Sequence, residues 1–273
     1  MRRVAETEGY SLIELLIVLA IAGLIGGAIL GVYRVSQDTY IRASSLEAAQ
    51  AGARAGLDRM ANELRLIGSY WVGANGAGNA ITAASPISIT FMANVDDSSV
   101  INGVEATATA FTANTVTLSL DATATTNAFR VYADPNSGLN DYIYIADGGT
   151  RDVRQITGIG GSTINLPIAS PLSSAYPVGS IVRDVKTITY ARNAVATSTC
   201  QPLTCLTRRQ GGANAEAIVD NVTGLTFTYF GGDGVTQTTN AALIREIQIV
   251  LTVQSPDGSA RRMTTRVKPR SLP

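Results

Sequence analysis

An α+β chain is predicted, a long N-terminal helix packed on an antiparallel β-rich head domain, and three observations predict it. Residues Leu12 to Tyr33 form an apolar run broken by a single charge, Glu14. Apolar residues then recur at helical spacing as far as Ile67, with no proline before Pro86. After Trp71 the composition shifts to Ala, Thr, Ser, Asn and Gly with short β-prone runs. At 273 residues the chain has room for one sizeable globular domain and an appendage.

The first element, residues 12–33, reads LIELLIVLAIAGLIGGAILGVY. At about 1.5 Å per helical residue it spans roughly 30 Å, the thickness of a bilayer's hydrocarbon core. A secretory signal peptide would have a shorter apolar core, no internal acid, and a small-residue cleavage site beyond that core. Arg2 and Arg3 precede the run and favour a cytoplasmic N-terminus, although Glu6 and Glu8 dilute their charge and Arg34 flanks the far side. An ionised Glu14 inside hydrocarbon would cost at least about 2.5 kcal/mol. Either it sits near the interface and reaches water, or it meets a positive group at its own depth. A free amine created by cleavage four residues upstream would be such a group. Gly23, Gly26, Gly27 and Gly31 each cost the helix up to about 1 kcal/mol relative to alanine. They suit either close packing between helices or local melting of the segment.

The second element, residues 34–71, is amphipathic. Leu46, Ala53, Leu57, Met60, Leu64 and Ile67 lie on one stripe. Glu47, Arg54, Asp58, Arg59, Glu63 and Arg65 lie between them on the face read as solvated, with Arg54/Asp58 and Arg59/Glu63 four residues apart. Both elements together make one helix of about 60 residues, roughly 90 Å long, stopping around Gly68 to Gly73.

Residues 72–273 form the head. Expected strands cover 87–93, 115–120, 129–133, 141–146, 153–159, 162–168, 180–191, 225–230, 243–255 and 261–267. Gly160-Gly161 reads as the turn of a hairpin joining 153–159 to 162–168, and Pro256-Asp257-Gly258 as the turn of a terminal hairpin.

Several chemistries are disfavoured at once. Net charge is zero, with 21 basic and 21 acidic residues, so nothing in the overall balance points to nucleic acid. Histidine is absent, which removes the commonest general base and the commonest metal ligand. No enzyme activity, cofactor or metal site is expected. Gly158-Ile159-Gly160-Gly161 precedes a strand rather than a helix N-terminus and has no basis for phosphate capture. Asp96-Asp97, Asp147-Gly148-Gly149 and Gly231-Gly232-Asp233-Gly234 read as turns rather than calcium loops. Cys200 and Cys205 enclose Gln-Pro-Leu-Thr; they form either a small disulfide loop worth roughly 2 kcal/mol or two unpaired thiols. Arg261, Arg262, Arg266, Lys268 and Arg270 make a basic cluster: a solvated hairpin face, a contact for an acidic neighbour, or a DNA site.

The string Gly9-Tyr10-Ser11-Leu12-Ile13-Glu14-Leu15-Leu16-Ile17-Val18-Leu19-Ala20-Ile21 closely resembles the leader junction of type IV prepilins and type II secretion pseudopilins. TYARN, LTRRQ, EAIVDNVTGLTFTYFGGDG, IREIQIVLTVQS and TRVKPRSL in the C-terminal half resemble minor pilins of the PilW type and the related pseudopilin J. The resemblance implies a leader of residues 1–9, cut after Gly9 by a membrane-embedded prepilin peptidase that then methylates Tyr10. It implies that Glu14 neutralises the Tyr10 amine of a neighbouring subunit during assembly. A minor pilin that primes or joins a type IV pilus follows, anchored in the inner membrane with its head in the periplasm and then on the pilus. Its implied partners are other minor pilins, the major pilin, the inner-membrane assembly platform and membrane lipid. A type II secretion minor pseudopilin and a tip-displayed adhesive or ligand-binding head are the alternatives.

Overall fold

The computed structural model describes residues 11–71, 78–95, 99–101, 111–114, 117–120, 142–147, 149–156, 164–193, 204–211, 213–255 and 258–272. Two compact units divide the chain, Met1–Ala48 and Ala49–Pro273. Helix α1 (Leu12–Arg65) belongs to both.

In the first unit the helical residues are almost all exposed, Leu12 at 79% and Leu24 at 76% among them. This part of α1 is long and apolar enough to cross a membrane. No alanine-sized side chain at Gly23, Gly27 or Gly31 would touch anything within 4 Å.

In the second unit the last turns of α1 lie on a sheet. Ala53, Leu57, Met60, Ala61, Leu64 and, just beyond the helix, Ile67 are buried with Ile89, Phe91, Ile188, Tyr190, Phe227 and Ile249. The expected stripe is therefore the buried face from Ala53 onward, each large side chain contributing about 1.5–3 kcal/mol. The helix stops at Arg65, six residues short of the expected limit, because tight turns take over. Leu66 and Ile67 donate to the Glu63 and Leu64 carbonyls, and Gly68, at φ +80°, turns its N–H onto the Met92 carbonyl. Gly56 marks the closest approach of helix and sheet, since a Cβ there would overlap the Val219 Cγ2 methyl. Gly56→Ala should lower head stability by about 1–3 kcal/mol despite alanine's better helix propensity. Val219→Ala in the same chain should restore much of the loss; thermal melts of both variants decide it.

Among the described residues the main sheet has ten strands, all paired antiparallel. Its main path runs β1 (Ile81–Ala84), β2 (Ser88–Ala93), β8 (Ile181–Asn193), β9 (Thr204–Gln210), β10 (Glu216–Phe230), β11 (Glu246–Gln254), β12 (Ala260–Val267). The first half of β8 also carries β3 (Ser99–Ile101) and β5 (Tyr142–Asp147), with β6 (Thr150–Gln155) beyond β5. A separate pair joins β4 (Thr117–Leu120) to β7 (Ile164–Pro167). The expected strand at 129–133 lies outside the described residues.

The turn of the expected hairpin across Gly160-Gly161 lies outside the described residues; among those described, β6 pairs with β5, β7 pairs with β4, and an antiparallel bridge joins Ile156 to Ile168. Asp147 faces Thr150 across a two-residue connection. β10 is one 15-residue strand rather than the short run at 225–230. Register shifts between Ala217 and Val219, and between Val222 and Gly224, bend it past Asn221 at φ +56°. Its first half pairs with β9 and its second with β11. The terminal hairpin forms in the expected place, Gln254 facing Ala260.

Candidate functional site

Ser11 and Glu14 start the helix together. Ser11 is the residue before α1 and Glu14 the third residue within it, the spacing of a capping box. Glu14 Oε2 accepts the Ser11 N–H at 3.1 Å, and Ser11 Oγ accepts the Ile13 N–H at 3.4 Å. The carboxylate is exposed, next to the positive end of the helix dipole, and forms no ion pair among the described residues. Gly9 and Tyr10, the expected cleavage and methylation residues, lie outside the described residues. The Ser-x-x-Glu spacing is legible in the sequence and explains why Glu14 suits this position in any helix that starts here. A cap alone is worth about 1 kcal/mol, less than the cost of holding an ionised carboxylate in hydrocarbon.

Within the second unit, the last turns of α1 are fastened to the sheet by a polar cluster. Glu63, expected on a solvated face, turns inward instead. Arg208 Nε on β9 donates to its two oxygens at 3.0 and 2.9 Å, and the Tyr190 hydroxyl on β8 donates to Oε2 at 2.8 Å. Arg59, one turn earlier, approaches at 3.5 Å. The Arg208 and Glu63 side chains are only 9% and 13% exposed. Burial, reinforced by the Glu63 charge, pushes the Tyr190 hydroxyl well above the usual phenol range. Lys186 Nζ, two positions from Asp184 on the same face of β8, lies 3.3 Å from Asp184 Oδ2, and both are almost wholly buried. Burial and the neighbouring Arg208 lower the Lys186 pKa to about 8, with Glu63 opposing. No sequence signal marks Glu63 and Arg208 as partners, because 145 residues separate them.

The remaining polar features are structural. Cys205, at the start of β9, is buried and disulfide-bonded. The sequence holds one other cysteine, Cys200, which lies outside the described residues. The Asp233 carboxylate accepts the Val235 and Thr236 N–H groups and the Thr236 hydroxyl, which holds its pKa below the usual range and accounts for the Gly-Gly-Asp-Gly turn. Among the described residues no group of three potential metal ligands converges. A cavity of about 420 Å3 between the β1–β2 turn and β10 is walled by Ser85, Pro86, Thr226, Thr228, Tyr229 and Thr238 among others. Tyr229 is the titratable group in that wall, and its hydroxyl is spent on the Ser85 and Ser88 carbonyls at 2.7 and 3.1 Å.

No protein-family model, curated protein or solved structure matches this chain. The first unit is an exposed apolar helical segment that carries one acid in its first turn; the second is a β-rich domain with the last turns of α1 packed on its sheet.

Proposed function

We propose that this chain is a minor subunit of a type IV pilus, held in the inner membrane by residues 12–33 and drawn into the filament through Glu14. The observation that carries the proposal is the pairing of an exposed apolar helix with a lone carboxylate in its first turn. Cleavage after Gly9 would place a new amine on Tyr10, one residue before the N–H that Glu14 already accepts. In the membrane the carboxylate caps its own helix; in the filament it takes the Tyr10 amine of a neighbour. The prepilin-like junction in the sequence supports this reading, as does the open face around Gly23, Gly27 and Gly31, which lets helices approach closely. The head is the part presented outside the membrane, and the Glu63–Arg208 pair ties it to the helix.

Intact-mass and N-terminal fragment spectra of the protein purified from its own host test the proposal. The expected result is a chain beginning at N-methylated Tyr10. A chain retaining Met1 to Gly9, or cut beyond the apolar run, would overturn it. Deletion of the gene then distinguishes roles. Loss of pili assigns priming, pili without attachment assign a tip adhesin, and intact pili with failed protein export assign the secretion pseudopilus.

A further inference from the structure

The two ends of the main sheet are protected very differently. At one end β1 is four residues long and bulged between Ile81 and Ala83. At the other end β12 is eight residues long, pairs with β11 without a register shift, and contains no proline. Long, straight edges are templates for another strand, and proteins usually blunt them with short length, bulges, proline or charge. β12 has charge alone, and of one sign. From Gly258 to Pro273 the sequence contains Arg261, Arg262, Arg266, Lys268 and Arg270 and no acid. Arg266 is committed within the head: it pairs with Glu246 at 3.2 Å and its guanidinium lies 4.2 Å from the Phe230 ring centre. Arg261 and Arg262 face Val253 and Thr252 on β11, neither of which can neutralise them, and both are exposed.

We propose that the edge of β12 away from β11, which no described strand covers, is a docking site for an extended, acidic strand of another protein, which adds to the sheet beside Ala260–Val267 with its carboxylates near Arg261 and Arg262. Backbone hydrogen bonds to the edge would provide the affinity and the arginines the choice of partner. Two features argue against other occupants. A second copy of this chain, paired antiparallel through its own β12, would set basic residues against basic residues, which is destabilising. Duplex DNA would need a field of unneutralised cations, whereas the chain's net charge is zero and Arg266 already has its acid. The inference does not rest on the pilus reading, since it uses only the head.

The test uses the full chain in detergent micelles with a probe strand fused after Pro273. A Gly/Ser linker of about 12 residues has a root-mean-square reach of roughly 20 Å and holds the probe near β12 at high effective concentration. Three probes are compared: eight residues of valine and glutamate with glutamates on both faces of the strand, the same with lysine for glutamate, and the glutamate version interrupted by proline. Amide hydrogen exchange is read across Ala260–Val267. The glutamate probe should slow exchange at alternate β12 amides at least tenfold, the lysine probe much less, and the proline probe not at all. Arg261→Glu with Arg262→Glu should reverse the preference between the glutamate and lysine probes. Equal protection by the proline probe would reduce the effect to charge attraction and overturn strand addition. No protection by the glutamate probe would also overturn it. So would concentration-dependent protection in the unfused chain, which assigns the edge to a second copy, or equal protection by a DNA duplex.

Discussion

A Glu14→Gln chain is expected to enter the membrane as the wild type does and to be incorporated into filaments at least tenfold less. Glutamine retains an oxygen that can accept the Ser11 N–H, so the helix start, worth about 1 kcal/mol, survives. What it loses is the charge. An ionised Glu14 in hydrocarbon costs at least about 2.5 kcal/mol; in the proposed assembly role a neighbour's Tyr10 amine would relieve that cost, and each 1.4 kcal/mol of relief would be about a factor of ten in association. Glu14→Ala removes cap and charge together and should assemble no better. Immunoblots of sheared filaments against membrane fractions give the ratio directly. Wild-type incorporation of Glu14→Gln beside a defective Glu14→Ala would reduce Glu14 to a helix cap and remove the assembly role.

Glu63→Ala should destabilise the head severely, costing about 3–5 kcal/mol. The substitution leaves Arg208 buried without its carboxylate and deprives the Tyr190 hydroxyl of its acceptor. In a domain of this size that loss corresponds to a fall in melting temperature of roughly 6 to 20 °C. The double change Glu63→Leu with Arg208→Met should recover most of it, because a buried ion pair replaced by apolar groups of similar volume is often neutral. Thermal melts of the full chain in micelles, followed by near-ultraviolet circular dichroism, check both. A Glu63→Ala melt within about 2 °C of wild type would mean that Arg208 finds water or another acceptor, and the fastening role would fall.

The helix and its buried face were legible because period alone specifies them. Leu57, Met60, Leu64 and Ile67 recur at helical spacing, and any surface that covers one covers all. β2, β5 and β11 were legible for the same kind of reason: short runs of β-prone residues between turn residues. β1, β3 and β9 were not anticipated as strands. Thr204–Gln210 contains two adjacent arginines and no clean alternation, and it becomes a strand because β8 and β10 offer it hydrogen-bonding edges on both sides.

At the candidate site, the sequence by itself determined the apolar span and the lone acid within it, and it contained the Ser11–Glu14 spacing that caps the helix. These are properties of consecutive residues, and a helix maps consecutive residues onto neighbouring positions without help from the rest of the chain. Only the tertiary structure decided that Glu63 leaves the solvated face for Arg208 and Tyr190, that Lys186 and Asp184 are buried together, and that among the described strands β12 rather than β1 is the long one at the end of the sheet. Those outcomes depend on which strands become neighbours. That choice is made by burial and hydrogen-bond satisfaction over separations of more than a hundred residues, and it leaves no local trace in the order of amino acids.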